Sequence, residues 1–239
     1  MSRDLLLIST STTHGTGYLE HAKEEVLELL NGKSSVLFIP YARPGGISHK
    51  DYTAKVKEAL EPWGFKVTGI HEYDNPVKAV QEAEAVFIGG GNTFQLLKNL
   101  YANKLIEPIQ ERVKKGMPYM GTSAGTNVAG KTIGTTNDMP IVHVRSFDAL
   151  QLVPFNINPH YLDPIEGSTH MGETRETRIA EFHHLNRQPV VGLREGSMLR
   201  IKGDRIELKG PHSARIFLQS EKPMEFMPGD DIGFLLEAY

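Results

Sequence analysis

Apolar and polar residues alternate along the first half of the chain in blocks that predict a repeated strand–helix pattern. Short apolar runs between turns indicate buried strands, and apolar residues three and four positions apart indicate amphipathic helices. The predicted strands are residues 5–9, 35–40, 66–70, 84–88 and 118–120. The predicted helices are residues 18–30, 51–63, 75–82, 93–101 and 105–115. This order favours an α/β fold, a three-layer sandwich with a mostly parallel central sheet.

The pattern changes after residue 130. A polar, glycine-containing loop at 131–148 is a candidate lid over a ligand site. Extended pieces, one helix and a set of hairpin strands follow it, with Gly203 and Asp204 as one hairpin turn. These elements are extended pieces 150–154 and 155–159, helix 173–186, and strands 189–193, 198–202, 205–208 and 214–218. Since we find no internal repeat and no linker, we expect a single catalytic domain spanning residues 1–239.

Composition narrows the class of protein. The chain has 239 residues, with 26 basic and 29 acidic side chains and a net charge of −3, which argues against nucleic acid as a partner. It has no cysteine, so disulfides and cysteine-ligated metals are excluded. No apolar run approaches the roughly 18 residues of a membrane span, and no signal-peptide pattern is present. We expect a cytoplasmic protein without a membrane partner, either a monomer or a small homo-oligomer.

Two glycine-rich turns carry the candidate chemistry. The sequence G-T-S-A-G at 121–125 follows a predicted strand and precedes a helix-compatible run, which is the context of a nucleophile elbow presenting Ser123. The sequence G-G-G-N at 89–92 ends the neighbouring apolar strand, where backbone N–H groups can approach a ligand. In parallel sheets, ligands bind at the carboxyl ends of strands. A chance G-x-S-x-G match and a simple flexible turn are the alternatives.

A nucleophilic serine needs a general base. His160 is the best candidate, because it follows the extended piece 155–159 at a point where the chain turns. His143 and His170 are weaker candidates, both in loops after the serine.

The acid that orients the base has two candidates. Glu195 lies just beyond the predicted strand 189–193, and we therefore expect it on the same sheet edge as Ser123. Asp138 lies in the loop at 131–148. Only Asp138 gives the serine–acid–histidine order of α/β-hydrolases, although its gap from the serine is short for that fold.

Arg175 is a candidate for binding an anion. In the predicted helix 173–186 it shares a face with Ile179 and Phe182, so it should point inward. A guanidinium there could bind a substrate carboxylate with two hydrogen bonds. It could equally form a structural ion pair with Glu173 or Glu176.

Taken together, the motifs resemble the serine peptidase family that contains the α-aspartyl dipeptidases (peptidase E) and the cyanophycinases. The matching segments are Gly-Gly-Gly-Asn at 89–92, Gly-Thr-Ser-Ala-Gly at 121–125, Asn-Pro-His at 158–160, Gly-Glu-Thr-Arg-Glu at 172–176 and Glu-Gly at 195–196. The resemblance implies a class I glutamine amidotransferase-like fold with serine in place of cysteine. It also implies hydrolysis of dipeptides that begin with aspartate, with Ser123 as nucleophile, His160 as base, and Glu195 and Asp138 as active-site acids.

The implied substrate, an Asp-Xaa dipeptide, defines the remaining roles. The oxyanion should be held by N–H groups of Gly90, Gly91 and Ala124. Arg175 should bind the aspartyl side chain, and Asp138 or Glu173 the free α-amine. Asn92 completes the expected substrate-binding set, which is Arg175, Glu173 and Asn92. We expect no cofactor and no metal.

Three other functions are considered. An α/β-hydrolase-type esterase shares G-x-S-x-G, but its histidine should lie near the C-terminus, where the last histidine, His212, is in a hairpin-rich region. A non-catalytic relative would retain the pocket without the reaction. A histidine metal site (His160, His170, His183, His184) lacks the spacing H-E-x-x-H.

Overall fold

The computed structural model describes residues 3–164, 167 and 172–237. The strands in chain order are β1 (Asp4–Ile8), β2 (Ser35–Ile39), β3 (Lys66–Gly69), β4 (Val86–Ile88), β5 (Tyr119–Thr122), β6 (Asn156–Pro159), β7 (Val190–Leu193), β8 (Met198–Lys202), β9 (Arg205–Lys209), β10 (Ala214–Phe217) and β11 (Met224–Phe226). The α-helices are α1 (Lys23–Leu29), α2 (His49–Leu60), α3 (Pro76–Glu82), α4 (Thr93–Ala102), α5 (Ile106–Lys114), α6 (Ala124–Asn127) and α7 (Arg175–His183).

The larger sheet confirms the predicted parallel core. Its seven strands run in the order β3-β2-β4-β5-β1-β8-β9. The first five pair in parallel, as strands joined by helical crossovers should. At one side β8 runs antiparallel to β1, and β9 forms the predicted hairpin with β8.

Helices cover both faces of this sheet, which gives the predicted three layers. Successive residues of a strand point to opposite faces. Accordingly, Leu5 and Leu7 lie in the apolar cluster that includes α4 and α5, whereas Leu6 and Ile8 lie in the cluster that includes α1 and α2. All four leucine and isoleucine side chains are 0% exposed. The near-continuous apolar runs of these strands therefore reflect burial on both faces.

Four other strands from the second half of the chain form a separate sheet, in the order β11-β10-β7-β6. β6 and β7 are parallel, and β10 and β11 continue the sheet antiparallel to β7. The sequence did not indicate this division. In particular, β10 pairs with β7 and not with the preceding hairpin strand β9, and β11 was not predicted.

Ser9, directly after β1, connects the two sheets. Its hydroxyl donates to the carbonyl oxygen of Leu193 at 2.7 Å and accepts from the N–H of His160 at 2.9 Å. Its own N–H donates to Ser197 O at 3.0 Å. The Ser9 side chain is fully buried. The ends of β1, β6 and β7 are consequently held at one place.

Helix boundaries differ from the predicted ones where capping residues decide them. The predicted helix 18–30 is interrupted at Leu19, whose φ is 61°, and continues as a 3₁₀ turn before α1. α2 begins earlier than predicted because Ser48 accepts a hydrogen bond from Asp51 N. Thr174 caps α7 in the same way, so Glu173 lies outside the helix. Among the helices that the structure describes, none has the length and apolar character needed to cross a membrane.

Candidate active site

Ser123 occupies a sharp turn between β5 and α6. Its backbone has φ 52° and ψ −109°, a combination that non-glycine residues rarely adopt. A Cβ at Gly121 would lie 2.5 Å from Gly125 O, and a Cβ at Gly125 would collide with Ile88 O. Both positions therefore require glycine, which explains the spacing of the G-x-S-x-G motif.

Buried hydrogen bonds hold this turn in place. The Thr126 hydroxyl lies 2.6 Å from Ile8 O and 2.8 Å from Gly121 O, so its one hydrogen is shared between these two acceptors. The Tyr119 hydroxyl donates to Gly125 O at 2.6 Å. The strained backbone of Ser123 is thus supported from β1 and β5.

His160 lies within hydrogen-bonding distance of Ser123. It is the residue after β6, its φ is 53°, and its Nε2 is 2.9 Å from Ser123 Oγ. The Asn137 side chain donates to Pro159 O at 2.7 Å and accepts from the Asn158 side chain at 2.7 Å, so the turn before His160 is fixed. This geometry allows Nε2 to accept the proton of the serine hydroxyl.

The acid beside His160 is Glu195. Its Oε1 is 2.7 Å from His160 Nδ1. An ionised carboxylate only accepts hydrogen bonds, so the pair places a proton on Nδ1 and leaves Nε2 free to accept. The Glu195 side chain is 58% exposed, so this carboxylate is hydrated as well as hydrogen-bonded.

The expectation that Glu195 lies on the same sheet edge as Ser123 is wrong. Glu195 follows β7, which belongs to the four-stranded sheet, whereas Ser123 follows β5 of the larger sheet. Glu195 reaches the base because β6 and β7 are parallel neighbours, and His160 and Glu195 follow their carboxyl ends.

A charged network anchors the segments that carry His160 and Glu195. Arg194 donates to both carboxylate oxygens of Asp163, at 2.8 and 2.7 Å, and to both oxygens of Glu225, each at 3.0 Å. Hydrogen bonds from Arg194 hold the pKa of Asp163 below its usual value, although partial burial opposes this. Hydrogen bonds to Asp163 and Glu225 raise the pKa of Arg194, so the guanidinium stays charged.

The triple-glycine segment lies against the serine. A Cβ at Gly90 would be 3.0 Å from Ser123 Cβ. Gly91 has φ 147°, and a Cβ there would collide with Ala42 O. Gly89 N–H donates to Ile39 O and Asn92 N–H to Ala42 O, but the N–H groups of Gly90 and Gly91 have no acceptor among the residues the structure describes. Ala124 begins α6, so its N–H has no partner within the helix.

Asp138 and Asn92 both contact the start of α4. Asp138 Oδ2 accepts from Thr93 N at 2.7 Å, and Asn92 caps the helix by accepting from Gln95 N at 3.0 Å. The Asn92 side-chain amide also donates to Met139 O at 2.9 Å. Asp138 is therefore placed beside the triple-glycine segment, and the hydrogen-bond partner of His160 is Glu195, not Asp138.

Arg175 is the first residue of α7 and is partly buried. Burial and the neighbouring Arg178 lower the pKa of Arg175, and Asp138 opposes this shift. No described residue forms a hydrogen bond or an ion pair with its guanidinium. Both proposed structural partners bind elsewhere, since Glu173 pairs with Arg178 at 3.6 Å and Glu176 with Arg215 at 3.0 Å.

The remaining histidine candidates lie apart from this cluster or outside the described residues. His143 is exposed, and buried His183 contacts Gln188 O at 3.1 Å. His170 falls outside the described residues. Within the described ranges, no group of three or more histidine and acidic side chains could hold a metal ion.

Sequence reasoning missed several residues that shape the site. Ser9, Asn137, Arg194 and Asp163 act through contacts between segments far apart in sequence, and no local motif marks them. Ser9 and Arg194 share one signal, because each directly follows the carboxyl end of a strand.

Comparisons with known proteins agree with this arrangement. The model of peptidase family S51 matches residues 5–209. A Drosophila melanogaster protein named "Probable alpha-aspartyl dipeptidase" is 50% identical over 239 residues, which cover 99% of this chain and 98% of the relative. Peptidase E of Streptomyces coelicolor is 52% identical over 235 residues, covering 98% of this chain and 96% of the relative.

A solved structure with low sequence identity to this chain supports the same fold. The crystal structure of a peptidase from an acI-B1 actinobacterium superposes with a TM-score of 0.73 over 97% of each chain, at 18% identity. This likeness is consistent with the predicted class I glutamine amidotransferase-like fold. On the family match and the near full-length relatives, the chain belongs to peptidase family S51.

Proposed function

We propose that this protein is a serine dipeptidase that hydrolyses dipeptides with an N-terminal aspartate through an acyl-enzyme on Ser123. The observation that carries the proposal is the continuous chain from Ser123 Oγ to His160 Nε2 (2.9 Å) and from His160 Nδ1 to Glu195 Oε1 (2.7 Å). The names of the relatives supply the substrate class.

The proposed reaction transfers a proton between Ser123, His160 and the leaving amine. Ser123 Oγ attacks the peptide carbonyl carbon as its proton moves to His160 Nε2, and Glu195 stabilises the imidazolium through Nδ1–H. The tetrahedral intermediate collapses when the same proton passes to the leaving amine. Water then attacks the acyl-enzyme, giving its proton to His160, and aspartate is released as Ser123 regains its proton.

The oxyanion of each tetrahedral intermediate needs donors already in place. We assign the N–H groups of Gly90 or Gly91 and of Ala124 to this role, because they flank Ser123 and the glycine N–H groups lack protein acceptors in the described structure. Loss of one such donor typically costs about 10²–10³ in rate.

Substrate recognition is assigned to opposite charges at the site. Arg175, partly buried and without an ion pair among the described residues, would bind the aspartyl side chain. We assign the free α-amine to Asp138, whose negative charge raises the pKa of Arg175 and which therefore lies near it. Glu173 is the weaker candidate, because it is exposed and paired with Arg178. Asn92 orders the adjoining loop through Met139 O.

The deciding experiment compares hydrolysis of Asp-Leu, Glu-Leu, Leu-Leu and N-acetyl-Asp-Leu by the wild type and by Ser123→Ala. We expect turnover of Asp-Leu alone, abolished in the variant. Equal turnover of Leu-Leu would remove the aspartate specificity, and cleavage of N-acetyl-Asp-Leu would remove recognition of the free amine. Ester hydrolysis without any peptide cleavage would favour the esterase alternative.

Several expectations stay predictions. They are the cytoplasmic location, the absence of a nucleic-acid partner, the monomeric or small homo-oligomeric state, and the lid role of loop 131–148. A hydrogen bond from Ile133 N–H to Phe147 O, at 2.9 Å, closes the base of that loop, and the buried Thr135 hydroxyl donates to Ile157 O. Met139, at the tip of the loop, is 74% exposed.

A further inference from the structure

A buried tyrosine holds the carbonyl oxygen of the peptide between Gly90 and Gly91. The Tyr52 hydroxyl, from α2, donates to Gly90 O at 3.2 Å. Tyr52 is only 2% exposed. A Cβ at Gly89 would lie 2.6 Å from the same hydroxyl, so the preceding residue must be glycine for Tyr52 to reach the loop.

The Tyr52 ring is held on several sides. Phe38 packs edge-on against it, with ring centroids 4.9 Å apart and an interplanar angle of 83°. The guanidinium of Arg43 lies 5.4 Å from the ring centroid. The Tyr18 hydroxyl is 3.4 Å from that of Tyr52, so it can supply the hydrogen bond that Tyr52 accepts while donating to Gly90 O. With Tyr18 as the donor in that contact, the Tyr52 hydroxyl donates to Gly90 O.

Fixing Gly90 O also fixes the direction of an N–H group. The carbonyl of Gly90 and the N–H of Gly91 belong to one planar trans peptide, in which they point in opposite directions. A hydrogen bond accepted by the carbonyl additionally polarises the N–H of the same amide. The Gly91 N–H has no acceptor in the described part of the chain, and the Gly90 Cα lies beside Ser123.

The loop needs this restraint because consecutive glycines have wide conformational freedom. Ile39 O and Ala42 O hold the N–H groups of Gly89 and Asn92 on either side. Between them, Tyr52 provides the hydrogen bond to the Gly90–Gly91 peptide. Without it, that peptide plane could rotate.

We propose that Tyr52 is a positioning residue for the reaction, which orients and polarises the Gly91 N–H as an oxyanion donor by holding Gly90 O. The proposal rests on the proposed serine mechanism. It assigns to α2, on the far face of the sheet from α4, a part in stabilising the transition state.

The test is Tyr52→Phe, which removes the hydroxyl and keeps the ring packing. We expect kcat for Asp-Leu to fall about three- to tenfold, as for loss of one neutral hydrogen bond and less than for loss of a donor itself. KM should stay within about twofold, since the donor acts on the oxyanion and not on the bound substrate. The melting temperature and the stoichiometric labelling of Ser123 by a fluorophosphonate establish that the variant is folded.

Tyr41→Phe is the matched control. Tyr41 is also buried, at 6% exposed, and its hydroxyl has no hydrogen bond with a described residue. We expect its kcat to match that of the wild type. An unchanged kcat in Tyr52→Phe, a loss expressed in KM alone, or an equal loss in Tyr41→Phe would each overturn the proposal.

The rate of Ser123 phosphonylation separates this inference from the proposed function. Phosphonylation also builds negative charge on an oxygen beside Ser123, but it does not need an aspartyl substrate. If the wild type cleaves no Asp-Xaa peptide, the substrate assignment fails. Slower phosphonylation of Tyr52→Phe than of Tyr41→Phe would still support Tyr52, and equal rates would reject it.

Discussion

Ser123, the proposed nucleophile, depends on the small size of its neighbours. A residue held at φ 52° and ψ −109° costs on the order of 1–3 kcal/mol, and the fold must supply this from surrounding contacts. Gly121 and Gly125 allow the close backbone approach, and Thr126 and Tyr119 provide the hydrogen bonds. The hydroxyl is presented to His160 at a distance suited to proton transfer.

At the residue scale, mutation should distinguish the role of Glu195 from that of Asp138. Glu195→Gln keeps the shape but removes the charge that stabilises the imidazolium, so we expect kcat to fall by about 10²- to 10⁴-fold. Asp138→Asn should act mainly on KM for Asp-Leu, because Asp138 does not contact His160. Steady-state kinetics of both variants make the comparison. A larger loss of kcat in Asp138→Asn would return the orienting role to Asp138.

Arg175 should determine the preference for aspartate. Arg175→Ala should reduce kcat/KM for Asp-Leu by about 10²-fold or more, as expected for loss of a charged hydrogen-bonded contact, while residual cleavage of Asn-Leu should change little. Arg178→Ala is the control, because Arg178 is exposed and pairs with Glu173. If Arg175→Ala reduces kcat/KM equally for Asp-Leu and Asn-Leu, the role of Arg175 is structural.

At the scale of elements, the contact between His160 and Glu195 depends on two short parallel strands. β6 and β7 end side by side, and His160 and Glu195 lie in the segments that follow them. Arg194, next to Glu195, is bound to Asp163, three residues beyond His160, and to Glu225 of β11. The four-stranded sheet therefore sets the separation of His160 and Glu195.

This network predicts a pH-dependent stability. Hydrogen bonds from Arg194 lower the pKa of Asp163. Burial raises the pKa of Glu225, but hydrogen bonds from Arg194 and Ser213 outweigh burial and lower that pKa. Carboxylates with lowered pKa stabilise the folded state above their unfolded pKa of about 4, and this contribution disappears as pH falls through the folded pKa. Arg194→Met should thus cost about 1–3 kcal/mol at pH 7 and progressively less below about pH 4.

Urea unfolding at a series of pH values measures this effect. Lys78→Met is the control, because the Lys78–Glu82 pair is 66% exposed on each side and should contribute less than about 0.5 kcal/mol. A difference between the wild type and Arg194→Met that stays constant from pH 7 to pH 3 would contradict the role of these carboxylates.

At the scale of the whole molecule, the two sheets share one apolar core. The larger cluster contains Leu5 and Leu199 of the first sheet together with Ile157, Val191 and Ile216 of the second. Ser9 adds buried hydrogen bonds at the same junction. Because the proposed active site takes Ser123 from one sheet and His160 from the other, we expect activity to require both sheets in place.

We therefore predict a single cooperative unfolding transition, as for one domain. Fluorescence of Trp63, the only tryptophan, reports on the larger sheet's helical layer, and phosphonate labelling of Ser123 reports on the assembled site. The urea midpoints of the two signals should coincide. Ser9→Ala should lower both midpoints together. Loss of labelling well before the fluorescence change would show that the second sheet unfolds separately.

How far the sequence predicts this fold differs between its halves. Long apolar strands such as Leu5–Leu7 and periodic helices such as α5 were recognisable, because burial on both faces and helical spacing leave local patterns. The separation of β6, β7, β10 and β11 into a second sheet was not recognisable. Short strands pair according to long-range packing, and residues 214–218 carried no signal that they would join β7 and not β9.

The sequence by itself determined the chemistry that could occur here. The glycines at 121 and 125 around a serine and the three glycines at 89–91 are local requirements of backbone geometry, and His160 directly follows a strand, so all of them are visible in the chain. Only the tertiary structure decided which acid meets His160, that Asp138 instead binds the start of α4, and that Tyr52 holds Gly90. Those contacts join segments tens of residues apart, and their distances follow from how sheets and helices pack together.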